Sequence, residues 1–129
     1  MKKYSIIFII LFTLISCKGK SPKSELIIGL WHLEKVSTNQ HIENQEQYKK
    51  SMIQLINTTQ IQFNEDNTFG GAIWGDTSFG YWNIKKDSLI IEDLSNKIKF
   101  GVVIKSLTEN KLELEEKSDS LIEILTFKR

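Results

Sequence analysis

Few side chains in this sequence are spaced for catalysis or metal binding. The two histidines, His32 and His41, have no second ligand at metal spacing, so the sequence predicts no zinc site. Neither a Gly-x-Ser-x-Gly turn nor a phosphate-binding glycine loop occurs. The acidic pairs Glu92-Asp93 and Glu115-Glu116 have the chemistry of general acids and bases. At predicted strand ends, however, such pairs are typical of solvated turn charges, and we expect no enzymatic activity.

The single cysteine, Cys17, follows a segment that is typical of secretion signals. Two lysines precede an apolar run over residues 6–15, which ends at the small Ser16. The run is too short to span a bilayer as a permanent helix. The four residues Leu14-Ile15-Ser16-Cys17 resemble the lipobox of bacterial lipoproteins. The resemblance implies cleavage before Cys17 and its acylation with chains such as palmitate, which would anchor the protein at about 0.8 kcal/mol per buried methylene. The alternative is a buried or reactive free thiol.

The sequence therefore predicts three regions: a signal peptide at 1–16, a lipidated cysteine with a polar tether at 17–25, and one folded domain at 26–129. The stretch KGKSPKS at 18–24 is polar and holds the only proline, as expected of a tether. Lys18, instead of Asp, follows the cysteine. By resemblance to lipoprotein sorting, this favours the outer membrane, with the domain facing the periplasm.

Composition argues against two further classes of protein, those that bind nucleic acid and those built on a disulfide framework. Without the two lysines of the signal, the chain has 15 basic and 16 acidic residues. A near-neutral domain without a basic cluster argues against nucleic acid as a partner. One cysteine also rules out a disulfide framework.

Alternation of apolar and polar residues predicts eight short strands. Turn residues separate these runs at the spacing typical of antiparallel sheets. An even number of strands joined by hairpins can close into an up-and-down barrel without open edges. We therefore expect an all-β, eight-stranded antiparallel up-and-down barrel, with a sandwich as the alternative. The predicted strands are 29–37, 58–64, 68–74, 78–85, 88–92, 97–105, 111–116 and 120–128. Gly70-Gly71, inside the third strand, predicts a bulge or a bend of the barrel.

The long link between the first two strands, 38–57, predicts one amphipathic helix. Tyr48, Met52, Leu55 and Ile56 fall at helical spacing. The helix would lie across one mouth of the barrel, where it either packs as a fixed plug or acts as a movable lid.

Several segments together resemble the lipocalin-like lipoproteins of Gram-negative bacteria. They are the Gly29-Leu-Trp31 opening, the hairpin at 61–69, the run at 80–89 and the closing 125–129. The resemblance implies that a basic residue at the end of the barrel packs over the tryptophan of the opening. Strand parity gives the same result, because the last strand ends where the first begins. We expect Arg129 or Lys128 over Trp31, a cation–π contact of about 0.5–2 kcal/mol that closes the barrel floor.

Two functions follow from such a barrel. In the first, it carries a small apolar molecule inside; in the second, a barrel filled by its own side chains binds another protein of the envelope through its mouth loops and the helix. The candidate residues lining a cavity are Ile61, Phe63, Phe69, Ile73, Trp82, Phe100 and Leu114.

Two tripeptides, Asp87-Ser88-Leu89 and Asp119-Ser120-Leu121, resemble the acceptor for protein O-glycosylation in some bacteria. The resemblance makes Ser88 and Ser120 candidate modification sites. Asp-Ser is also ordinary turn chemistry before a strand.

Overall fold

Buried and exposed residues alternate along several strands of the computed structural model, which describes residues 22–129. In the fourth strand, for example, Ser78, Gly80 and Trp82 are buried while Phe79 and Tyr81 are exposed. One face of each strand is therefore directed into the barrel and the other into solvent. The predicted signal peptide, 1–16, and the predicted lipidation site Cys17 lie outside the described residues.

Eight strands and two helices make up the described part of the chain. The helices are α1 (Pro22–Leu26) and α2 (Gln45–Thr58). The strands are β1 (Gly29–Thr38), β2 (Gln60–Phe63), β3 (Thr68–Ile73), β4 (Asp76–Lys85), β5 (Ser88–Asp93), β6 (Ile98–Leu107), β7 (Lys111–Ser118) and β8 (Leu121–Lys128).

Each strand pairs antiparallel with the next, and β8 pairs with β1 to close the barrel. The predicted all-β, eight-stranded up-and-down barrel with one helix between the first two strands is confirmed. The register shifts once between Leu33 and Lys35 of β1 and once between Ile104 and Ser106 of β6. The predicted bulge at Gly70-Gly71 does not form, because β2 and β3 pair in unbroken register across it.

The chain crosses the barrel from end to end with each strand, so its connections fall into two sets. We call the floor the end that holds α1, the turns at 64–67, 86–87 and 108–110, and the C-terminus. We call the mouth the end that holds α2 and the turns at 74–75, 94–97 and 119–120. Three of these hairpin turns contain a residue with a positive φ angle, namely Asn67, Lys86 and Asp119.

The predicted strand boundaries differ from the observed ones by at most two residues, and two differences, at α1 and α2, have a local cause. Residues 22–25, assigned to the tether, belong to α1, in which Pro22 occupies the first position, where its missing N–H costs nothing. Thr58, assigned to the second strand, ends α2, and its hydroxyl donates to the Gln54 carbonyl within the helix at 2.6 Å.

In the part of the chain that the structure describes, no helix is both long and apolar enough to cross a membrane.

Candidate functional site

The barrel encloses a cavity of about 350 Å³ between its floor and α2. This volume falls within the range of small-molecule sites in proteins, at its lower end. Most of the lining is apolar and comes from every strand and from α2. The apolar and aromatic lining residues are Leu33, Val36, Tyr48, Met52, Leu55, Ile61, Phe63, Phe69, Ile73, Trp74, Leu89, Ile91, Phe100, Val102, Leu114, Leu125 and Phe127.

Small residues on β3 and β4 leave this space open. Gly71 shares the inward face of β3 with Phe69 and Ile73, and it is paired with Ser78 of β4. A Cβ atom at Gly71 would collide with the Gln60 carbonyl oxygen of β2, and the φ angle of 154° also favours glycine. No larger side chain fits there, so this side of the barrel contributes little volume to the interior.

Six of the seven residues predicted from the sequence line the cavity, and Trp82 does not. The six are Ile61, Phe63, Phe69, Ile73, Phe100 and Leu114. Trp82 belongs to the floor, where its indole donates to the Asn64 carbonyl at 3.1 Å and its ring meets Phe63 edge-on at 5.7 Å. Trp82 faces the interior, as predicted, but its contacts with Asn64 and Phe63 bury it in the floor, below the cavity.

Helix α2 covers part of the mouth with its apolar face. Tyr48, Met52 and Leu55 line the cavity, while Ile53 on another face is 58% exposed. Asn44 caps the N-terminus of the helix, because its side chain accepts from the Gln47 backbone N–H at 3.2 Å. The helical spacing read from the sequence is therefore confirmed, and α2 packs against β1 and β3.

Trp74 is a cavity residue that the sequence analysis missed. It lies in the β3–β4 turn with Gly75, and both residues have positive φ angles. Its backbone N–H donates to the Thr59 hydroxyl at 3.3 Å, which ties the turn to the start of β2. A large side chain in this conformation is uncommon, and here it places a half-exposed indole at the mouth. The sequence feature that could have indicated this role is an aromatic residue directly before a turn glycine.

Asp93 lines the cavity at the end of β5 but is not the solvated charge that the sequence predicted. It is 4% exposed and accepts from Ser78 Oγ at 2.8 Å and from both Asn96 nitrogens. Ser95 donates to the same carboxylate through its backbone N–H and its hydroxyl. Burial raises the pKa of Asp93, but the hydrogen bonds from Ser95, Asn96 and Ser78 outweigh it and hold this pKa well below 3.8. Asp93 thus fastens the 94–97 turn to β4.

Two other carboxylates, Glu116 of β7 and Glu123 of β8, line the cavity near its mouth. They are direct partners across the β7–β8 ladder. Each shares the inward face of its strand with buried or cavity-lining residues, Leu114 for Glu116 and Leu125 for Glu123. Glu116 is exposed, as predicted for a solvated charge, but it lies within β7, which continues to Ser118, and it lines the mouth of the cavity.

The floor contains the predicted contact between Arg129 and Trp31. The Arg129 guanidinium carbon lies 4.2 Å from the centroid of the Trp31 ring. Its Nη1 and Nη2 atoms donate to the carbonyls of Ile28 at 2.6 Å and Leu26 at 2.7 Å. Trp31 is fully buried, and its indole donates to the Ile27 carbonyl at 2.7 Å.

The two candidate modification sites lie in hairpins at opposite ends of the barrel. Ser88 is half-buried at the start of β5, and Ser120 is exposed in the β7–β8 turn. An intact mass equal to that of protein plus lipid would exclude O-glycosylation at both. Within residues 22–129, no group of three or more His, Cys, Asp or Glu side chains is arranged to hold a metal ion.

No protein-family model and no curated protein sequence matches this chain. Among solved structures, it is similar to the crystal structure of an uncharacterized protein from Bacteroides eggerthii. The TM-score is 0.52 at 12% sequence identity, and the match covers 80% of this chain and 99% of that one. At this identity, the likeness supports the barrel fold alone.

Proposed function

We propose that this protein is a lipid-anchored, lipocalin-like carrier of the cell envelope that holds a small apolar molecule inside its barrel. The cavity of about 350 Å³ is the observation that carries the proposal. A side-chain-filled barrel has no such space, whereas a mostly apolar enclosure with a few polar groups suits small-molecule binding. The lipobox-like Cys17 supports the anchor, and Lys18 supports an outer-membrane location facing the periplasm.

The proposed carrier is non-enzymatic. Of the cavity carboxylates, Asp93 has its acceptor positions occupied by hydrogen bonds within the protein. Glu116 and Glu123 are accompanied by no histidine or lysine in the cavity lining that the structure describes. The Ser78 hydroxyl does lie within hydrogen-bond reach of Asp93, at 2.8 Å, but a carboxylate whose pKa is held well below its ordinary value is too weak a base to activate it.

An alternative proposal is a protein-interaction module of the envelope. It is favoured by half-exposed apolar side chains near the mouth, namely Trp74, Leu94, Ile98 and the helix residue Ile53. A partner would bind the mouth turns and α2. In that case, replacing Lys49 and Lys50 of α2 with Glu should disrupt the complex while leaving small-molecule binding in the cavity unchanged.

Binding of a neutral apolar dye, N-phenyl-1-naphthylamine, tests the carrier proposal. We expect the detergent-free Cys17→Ser protein to bind one dye molecule with enhanced fluorescence. Leu125 is half-buried in the cavity wall, so the larger side chain of Leu125→Trp should fill the space and weaken binding at least about tenfold.

The matched control is Ile124→Trp on the same strand. Ile124 is the partner of Glu115 and Ser37 and does not line the cavity. This variant should bind the dye as tightly as the parent protein, and thermal unfolding should show both variants folded. Equal dye binding by the two tryptophan variants would contradict a ligand site inside the barrel.

A further inference from the structure

We propose that the molecule carried in the cavity is positively charged: an apolar body bearing one ammonium-type group that lies between Glu116 and Glu123. This inference rests on the carrier function proposed above, and the site is the cavity itself. The two glutamates determine which ligand charge it accepts. The class of ligand is therefore a cationic amphiphile, as opposed to a fatty acid or a neutral hydrocarbon.

The first observation is the placement of the two carboxylates. Glu116 and Glu123 are opposite each other across the β7–β8 ladder and both line the cavity. Residues directly opposite in an antiparallel pair have Cβ atoms about 4.5–5.5 Å apart, so one small cationic group can contact both carboxylates. The lining around them, Val36, Val102 and Leu125, is apolar.

The second observation is that nothing in the described cavity lining neutralises this pair. No Lys, Arg or His is among the lining residues. The neighbouring Lys117 pairs with Glu115 at 3.5 Å on the outer face of β7. Asp93, the third carboxylate of the lining, already accepts hydrogen bonds from three residues. Glu116 and Glu123 are therefore the two acidic side chains of the cavity whose acceptor positions are open to a ligand.

Repulsion between the two glutamates favours a ligand that carries a positive charge. Like charges directly opposite each other destabilise a pair of strands. A ligand cation offsets that repulsion and gains charge-assisted hydrogen bonds to the exposed Glu116 and the half-buried Glu123. A ligand carboxylate would add a third negative charge to the same place, and a neutral head group would leave the repulsion unchanged.

Three eight-carbon ligands test the inference, because they share an apolar chain and differ in the charge of the head group. Octylamine, 1-octanol and octanoate are cationic, neutral and anionic at pH 7. Isothermal titration calorimetry of the Cys17→Ser protein at low salt should give the tightest binding for octylamine. We expect it to exceed octanol by about tenfold, the effect of one charge-assisted hydrogen bond, and octanoate by more. Added salt should reduce the difference, since the glutamates lie near the mouth.

The double variant Glu116→Gln/Glu123→Gln keeps the shape of both side chains and removes their charges. It should bind octylamine and octanol with equal affinity. Glu115→Gln is the matched control, because it removes one negative charge from the outer face of the same strand. That variant should keep the preference for the amine.

Each outcome separates this inference from the carrier proposal. Equal affinities for the three ligands, or tightest binding of octanoate, would overturn the inference and leave the carrier proposal standing. A preference for the amine that survives the double variant would also overturn it, because the glutamates would then not be its source. Binding of none of the three by a folded protein would count against the carrier function itself.

Discussion

At the residue scale, Arg129 joins segments that are far apart in the sequence. Its guanidinium donates to carbonyls at residues 26, 28 and 109 while lying over the Trp31 ring. The sequence predicted the contact with Trp31 because strand parity brings the last residue of an eight-stranded barrel beside the first strand. The three carbonyl partners were not predictable, since they depend on where α1 and the 108–110 turn lie.

Replacing Arg129 with Ala should lower the free energy of unfolding by about 1–3 kcal/mol, the combined effect of one cation–π contact and the charged hydrogen bonds. Urea denaturation measures this loss. Lys128→Ala changes the adjacent exposed residue and should cost less than about 0.5 kcal/mol. Equal losses in the two variants would show that Arg129 does not hold the floor together.

Asp93 shows what a single sequence conceals at this scale. An acidic residue at a strand end is ordinarily solvated, and only the fold reveals that Ser78 of another strand and the 94–97 turn surround this one. The serines and asparagine that donate to it are common turn residues and gave no separate signal.

The depressed pKa of Asp93 predicts an acid-dependent part of the stability. The contribution is fully present above about pH 5 and is lost as the pH falls through the ordinary value of 3.8 toward the lower folded-state pKa. Unfolding free energies should therefore fall less steeply between pH 5 and pH 2.5 in Asp93→Asn than in the parent protein. Urea denaturation at each pH measures the two slopes, and parallel slopes would contradict the prediction.

At the element scale, the alternation of apolar residues specified the strands, and helical spacing specified α2. The boundaries were less predictable because they depend on contacts between elements. β7 continues to Ser118 because it remains paired with β8 up to Leu121, although its last residues are polar. Likewise, β2 is short because α2 includes Thr58.

The N-terminal cap of α2 offers a test of how firmly the helix covers the mouth. Asn44→Ala removes the side-chain acceptor for the Gln47 N–H and should destabilise the helix by about 1 kcal/mol. Hydrogen exchange of the α2 amides should then become about fivefold faster. Asn57→Ala, an exposed position inside the same helix, should not accelerate exchange, because alanine favours helix. Equal acceleration in both variants would contradict a capping role.

At the scale of the whole molecule, the closed barrel followed from the number of strands, but the cavity did not. Whether a barrel of eight strands is filled or hollow depends on the sum of its inward side-chain volumes. Here the small Ser78 lines the cavity and is paired with Gly71, and this pairing depends on the β3–β4 register, which the sequence alone does not give. Trp82 was only partly predictable for the same reason. Alternation along the strand gives its inward face, but its height in the barrel depends on the strand register.

The proposed anchor also belongs to the whole molecule. Radiolabelled palmitate should be incorporated into the parent protein and not into Cys17→Ser, since the sulfur is the predicted acylation site. The variant should also move from the membrane fraction to the supernatant. Label in the variant, or its absence from the parent protein, would contradict the lipobox interpretation.

Native mass spectrometry of the Cys17→Ser protein, purified without detergent from cells that produce the natural ligand, shows whether the barrel holds a small molecule. We expect one small-molecule adduct per chain, retained in Ile124→Trp and lost in Leu125→Trp. A bare protein mass in both the parent protein and Ile124→Trp, or an adduct that survives Leu125→Trp, would contradict a carrier that holds its ligand inside the barrel.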